Sequence, residues 1–207
     1  AFRDLPTACG ATAPDPLTPM DFSEPTGVSV TEPTTVVVTT SCGDIAIELD
    51  PSISPASVDS FVFLAQEGFY DGTVFHRIAE NFVIQGGDPT ATGTGSPGYR
   101  IFDEFPPDDF VYERGVVALA KSAGRDTSGS QFFIVIGDEA VVREGLAAYG
   151  SAGVDTLMGL FHGNDTLLDG VKTAEDRTGK RVILIDTPPI NVDDNEAARR
   201  EAEAIIA

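Results

Sequence analysis

Hydrophobic and polar positions divide the chain into three stretches. Residues 1–34 hold six prolines, and the run from Pro14 to Pro33 follows neither a helical nor a strand period. An extended arm lying along the surface is expected there. At Thr35 the pattern changes. Val36, Val37 and Val38 lead to a Ser41-Cys42-Gly43-Asp44 turn and then to the alternating Ile45, Ile47 and Leu49, which predicts a β-hairpin. Ser54 is placed to cap a helix with Pro55 at its first position, and Val58, Phe61, Val62 and Ala65 keep the i, i+3, i+4, i+7 spacing until Gly68 closes it. Such a helix covers one end of a sheet or barrel. Short β-rich runs recur at residues 74–78, 82–85, 116–120, 132–136, 156–161 and 181–185. Gly- or Asp-rich turns separate most of them, which favours an antiparallel sheet or barrel over a parallel α/β fold. Asp165 can cap a second helix running to Val171, and Ala198, Ala202 and Ile205 share one side of a surface helix behind an acidic cluster at Asp193. The expected organisation is an arm over 1–34, one domain over 35–192 and an acidic tail over 193–207.

A length of 207 residues suits one main core with appended segments. No apolar run approaches the roughly 20 residues of a membrane-spanning helix, so no transmembrane segment is expected in this chain. The first residues lack the basic stretch, apolar run and cleavage site of a secretory signal, and any targeting segment is expected to be removed or to lie upstream. Thirteen basic residues against 33 acidic ones give a formal charge of −20, a field that repels phosphate backbones and argues against nucleic acid as a partner. The same charge fits a salty or extracellular habitat and names no substrate. Cys9 and Cys42 are the two cysteines. An even count with no other thiol fits one disulfide in an oxidising compartment, with two unpaired thiols as the alternative. An extracytoplasmic location, secreted or tethered to the cell surface, is the matching expectation. Closing a loop of this length contributes about 3 to 4 kcal/mol in the chain-entropy account. Neither cysteine has a His or a basic neighbour in sequence to lower its pKa, so neither reads as catalytic.

The chemistry lies in two motifs. Phe75-His76-Arg77-Ile78 is followed by Phe82-Val83-Ile84-Gln85-Gly86-Gly87-Asp88, and Leu119-Ala120 by Gly129-Ser130-Gln131-Phe132-Phe133-Ile134. In type, order and spacing these resemble the signature of the cyclophilin-type peptidyl-prolyl cis/trans isomerases. The resemblance runs from about Val36 to Ile190 and takes in the helix, Phe102-Asp103-Glu104-Phe105 and the segment around Met158-Gly159; the arm and the tail fall outside it. It implies a mainly β fold, a cyclophilin-like closed antiparallel β-barrel with capping helices, acting as a monomer on proline-containing polypeptides and assisting their folding. It further implies Arg77 as the catalytic residue and Gln85 as the residue that orients it. Phe82, Val83, Ala120 and Phe133 match positions lining the proline pocket and peptide groove, and Lys121 and Gln131 border that groove.

The physics of the reaction agrees without reference to any family. The prolyl amide has a rotation barrier of about 18–20 kcal/mol because of its resonance, and twisting it returns a lone pair to the nitrogen. A donor beside that nitrogen stabilises the twisted state more than the planar one. A guanidinium is always charged and can hold both a carbonyl and the developing lone pair, so no nucleophile, metal or redox cofactor is required. The plain alternatives are a surface ion pair for Arg77 and core packing for the aromatics. His76 precedes the arginine on a strand, where side chains alternate, and is expected to face away in a structural role. His162 stands alone, and Asp108, Asp109, Asp193 and Asp194 lack the spacing of a calcium loop, so no metal is expected.

The chain departs from the family in having no tryptophan, which many cyclophilins carry at the pocket rim. Tyr149 or Leu146 is the candidate to cover that space, and Asp155 stands where many members have a rim histidine. A proline-peptide adaptor of the same fold with little catalysis is therefore the rival reading. A core that merely carries its arm or tail is a third.

Overall fold

The computed structural model describes residues 9, 17–79, 81–107, 110–122 and 124–137, together with the backbone of 157–161. Seven strands form one sheet: β1 (Thr34–Thr40), β2 (Gly43–Leu49), β3 (Arg77–Ala79), β4 (Val83–Gly86), β5 (Val116–Leu119), β6 (Phe132–Val135) and β7 (Leu157–Phe161). Their order is β1-β2-β7-β5-β6-β4-β3, and every pairing is antiparallel. The described strands thus form a mainly β, antiparallel sheet with β1 and β3 at its ends. The expected run at 181–185, the second helix and the tail lie outside the described residues.

The hairpin forms where the alternation placed it. Thr40 pairs with Gly43, and the Thr40 hydroxyl donates to the Gly43 carbonyl at 2.6 Å while accepting from the Cys42 N–H at 3.1 Å. Gly43 supplies the positive φ (118°) that lets the chain reverse. Strand limits farther on differ from expectation. Val74 makes only an isolated bridge, to Asp88, and the strand proper begins at Arg77. Phe82 belongs to the β3–β4 turn, not to β4.

Helix α1 (Pro55–Gln66) packs its apolar side into the main core, where Phe61 meets the Phe132 ring edge-on at 5.5 Å. Its C-terminus is a Schellman closure. Gly68, at φ 70°, donates to the Ala65 carbonyl at 3.1 Å, and Phe69 donates to the Leu64 carbonyl at 2.9 Å. At the N-terminus Ser54 makes no side-chain cap hydrogen bond, which corrects the sequence expectation. The Glu104 carboxylate takes that role from 47 and 48 residues away, accepting from the Ala56 N–H at 3.0 Å and from the Ser57 N–H and hydroxyl at 2.9 and 2.6 Å. A carboxylate answers both the orphan N–H groups and the positive end of the helix dipole.

β5 and β6 are buried at every position. Their residues alternate between two apolar clusters: Val117, Leu119, Phe132 and Ile134 enter the main core beneath α1, whereas Val116, Ala118, Phe133 and Val135 join Val83 and Phe82 in a second cluster. A strand covered on both faces carries an uninterrupted apolar run, which is why these segments show no period of two. The second cluster is the surface on which the candidate site is built.

The described part of the arm is fastened to the domain. Phe22 packs on Phe63, with ring centroids 5.2 Å apart, and its N–H donates to the Pro97 carbonyl at 2.8 Å. Val30 donates its N–H to Asp59 at 2.7 Å. Cys9 and Cys42 form a disulfide, with Cα atoms 5.3 Å apart, tying the arm to the β1–β2 turn.

Candidate active site

Register assembles the site. Arg77 lies directly across from Gln85, Gln85 from Phe133, and Phe133 from Ala118, on β3, β4, β6 and β5 in turn. Directly opposed residues project to the same face of a sheet, so a cation and an amide extend the row that begins with two buried apolar side chains. The half-buried Arg77 donates from Nη1 to Gln85 Oε1 at 3.2 Å. Its guanidinium carbon stands 6.0 Å from the centroid of the Phe82 ring, within the range of a cation–π contact.

Phe82 reaches this position through the turn. Asn81 adopts a left-handed φ of 53°, the Phe82 N–H donates to the Ala79 carbonyl at 3.0 Å, and the Phe82 carbonyl accepts from Ile136 at 2.9 Å and Gly137 at 3.2 Å. Gly137 is required for this approach, because a Cβ there would run into the Asn81 carbonyl. Val83, Phe133 and Phe82 are buried together, and Ala120, Phe110 and Tyr112 pack against them. The result is a buried apolar cluster with a cation at its margin.

The polar side continues from Gln85. Its Nε2 donates to Gln131 Oε1 at 3.0 Å, and Gln131 Nε2 donates to the Gly95 carbonyl at 3.0 Å. A cleft bordered by Gln85, Gly95, Ala120, Lys121, Gln131 and Arg100 opens here. Six of the eight expected site residues, Arg77, Gln85, Phe82, Val83, Phe133 and Gln131, thus form one continuous constellation, and Ala120 joins its apolar and polar halves. Lys121 borders the cleft, but its ammonium is held by Asp103 at 2.9 Å, with both side chains 2% exposed. Burial acts to raise the Asp103 pKa, but the Lys121 contact and the Asp126 hydrogen bond outweigh it, so the carboxyl stands below its ordinary value.

The His76 ring nitrogens are buried without hydrogen-bond partners, and Nε2 faces the Gly93 segment. Burial, the largest influence, lowers its pKa and outweighs the opposing pull of Asp88. Asp88 belongs to the first motif, whose sequence assigned it no role. It is fully buried and accepts hydrogen bonds from the segment that ends at Gly95. An acidic residue between paired glycines and a threonine-rich loop was the signal available. Among the described residues, no group of three or more His, Cys, Asp or Glu side chains is arranged to hold a metal ion.

Comparison with known proteins agrees with this geometry. Residues 35–176 match the family profile "Cyclophilin type peptidyl-prolyl cis-trans isomerase/CLD". The chain belongs to the cyclophilin family. Among curated cyclophilin relatives, peptidyl-prolyl cis-trans isomerase B of Bacillus subtilis is 52% identical over 91 residues, 44% of this chain and 63% of that protein. A peptidyl-prolyl cis-trans isomerase of Helicobacter pylori is 48% identical over 101 residues, 49% of this chain and 61% of that protein. The chain thus spans under two thirds of the length of these relatives. Among solved structures, a Cryptosporidium parvum cyclophilin-type isomerase obtained in the presence of the dipeptide ala-pro superposes with a TM-score of 0.61 at 30% identity, covering 74% of this chain and 96% of that one.

Proposed function

We propose that this cyclophilin is a peptidyl-prolyl cis/trans isomerase that accelerates rotation about X-Pro bonds in polypeptides and thereby assists their folding. The observation that carries this reading is Arg77, a permanent cation held by Gln85 and by the Phe82 ring at the edge of a buried apolar surface. A prolyl ring seated against Phe82, Val83 and Phe133 leaves water, and the lower local dielectric strengthens what the guanidinium does to the adjoining amide. As the C–N bond twists, conjugation breaks and the nitrogen regains a lone pair. A guanidinium donor reaching that nitrogen binds the twisted state more tightly than either planar isomer, so the barrier falls in both directions. No bond to the substrate forms, and no proton is consumed. Gln85 keeps the donor in place before the substrate arrives, which removes a reorganisation cost from the barrier.

Closure of the sheet into a barrel is part of this proposal, supported by the solved cyclophilin likeness at 30% identity. So is an extracytoplasmic location, supported by the Cys9–Cys42 disulfide. Among the described residues no helix is long and apolar enough to cross a membrane. The expected rim residues Tyr149, Leu146 and Asp155 lie outside the described residues, as does His162.

The test is catalysis by the whole chain of cis/trans exchange in a short Ala-Pro-Phe peptide, at enzyme concentrations far below the peptide. Exchange that rises in proportion to protein supports the isomerase. Peptide binding without any rise in exchange overturns it and leaves the adaptor.

A further inference from the structure

The geometry points to Asp88 as a positioning residue for the Arg77 guanidinium, acting through the loop of residues 90–95 and then through Gln131 and Gln85. This inference rests on the isomerase reading of the site.

Asp88 follows β4 and is 0% exposed. A buried carboxylate must be matched by donors, and here five converge on it. Oδ1 accepts from the Thr90 N–H at 2.8 Å and the Thr90 hydroxyl at 2.7 Å. Oδ2 accepts from the N–H groups of Thr92 at 3.1 Å, Gly93 at 2.6 Å and Gly95 at 3.1 Å. The loop is wound around a single side chain. It also holds a conformation that a residue with a Cβ disfavours: Ala91 sits at φ 55°, in the left-handed region. Gly95 has no room for a side chain, because the Asp88 carboxylate occupies the place of its Cβ.

The consequence at the far end is a fixed carbonyl. Gly95 O accepts from Gln131 Nε2 at 3.0 Å, Gln131 Oε1 accepts from Gln85 Nε2 at 3.0 Å, and Gln85 Oε1 accepts from Arg77 Nη1 at 3.2 Å. Each glutamine amide has an oxygen end and an NH2 end, and the chain runs in one sense only. Turning the Gln131 amide over would set its oxygen against the Gly95 carbonyl and its NH2 against the NH2 of Gln85. The Gly95 carbonyl therefore decides which way Gln131 points, Gln131 decides the same for Gln85, and Gln85 presents oxygen to Arg77. Without that anchor both amides can turn, and Gln85 then offers a donor to a cation that can only donate. The hydrogen bonds of Asp88 all go to the loop, so its effect reaches the reaction through orientation.

The experiment is a double-mutant cycle in the full chain, with Asp88→Asn and Gln131→Met singly and together, read as kcat and KM on an X-Pro peptide. Asn keeps one acceptor but turns an NH2 toward the loop N–H groups, and Met removes the Gln131 bonds to Gln85 and to the Gly95 carbonyl while leaving all five donors to Asp88 in place. Each single variant is expected to lose about tenfold in kcat with KM changed less than about twofold, since a small misplacement of an oriented donor costs rate rather than binding. The double variant is expected to lose no more than either single one, an outcome that a loop stabilised for its own sake would not produce. Additive losses, or wild-type kcat in Gln131→Met, overturn the inference, and the latter holds even if Asp88→Asn fails to fold. A readout independent of turnover is the Arg77 Nε–Hε resonance, which should shift in Gln131→Met. If wild type does not catalyse, the isomerase reading fails, while an unmoved resonance would sink the relay separately.

Discussion

At the scale of single residues, two desolvated ionisable groups share the neighbourhood of the site and depend on pH in the same direction. His76 is half-buried with both ring nitrogens out of water and neither hydrogen-bonded, so desolvation holds its pKa below the ordinary 6.5. The unfolded chain takes up this proton first as pH falls, hence binds more protons than the folded chain, and stability declines below about pH 6.5. Burial by itself would raise the Asp88 pKa, but its hydrogen bonds lower it on balance below 3.8. The stability it contributes is complete above the unfolded value and is lost only as pH falls through the lower folded one, so the two effects occupy separate windows. In urea titrations from about pH 7.5 to pH 5.5, wild type should lose stability relative to His76→Leu, whose pH dependence lacks the imidazole contribution. Parallel curves for the two proteins would show that His76 is not buried in the neutral form.

At the scale of elements, α1 depends on a residue that is not part of it. Glu104→Ala removes three hydrogen bonds to the first turn of the helix and should lower stability by about 1 to 2 kcal/mol. The check is the urea midpoint, and a change within error would mean that solvent replaces the carboxylate. This element also marks what a sequence can disclose. Pro55, the apolar spacing and Gly68 made α1 legible, because each acts through neighbours in the chain. The Glu104 cap was not, because it joins segments 48 residues apart, and Ser54 in the favoured position pointed to the wrong acceptor. The row of Arg77, Gln85 and Phe133 was legible through the family resemblance of its motifs, whereas the pairing of Arg77 with Gln85 is a fact of the register. The buried ion pair of Lys121 and the five hydrogen bonds of Asp88 depend on loop paths that no periodicity encodes. The continuous apolar runs of β5 and β6 told of strands, but not that alternate residues serve two clusters, one structural and one at the site.

At the scale of the whole molecule, the arm, the hairpin and the domain are joined by one covalent link far along the chain from Arg77. Breaking the Cys9–Cys42 disulfide, by reduction or by Cys42→Ser, releases a 33-residue separation and should cost about 3 to 4 kcal/mol by loop entropy, less whatever structure the unfolded arm retains. Turnover under native conditions should persist, because the domain contributes every member of the constellation. A thiol count on unreduced, denatured protein should find none; two free thiols would contradict both the bridge and the oxidising compartment proposed from it. The charge of −20 acts at this scale as well, favouring solubility and giving no specificity for a client.

The most direct measurement compares wild type with Arg77→Ala in exchange NMR of a short Ala-Pro-Phe peptide at equilibrium, with peptide affinity taken from the same titration. Loss of one preorganised donor is worth about 3 to 4 kcal/mol, so catalysed exchange should fall at least about a hundredfold while affinity changes little. Wild-type exchange rates in Arg77→Ala would contradict the central claim that this guanidinium lowers the barrier to prolyl rotation.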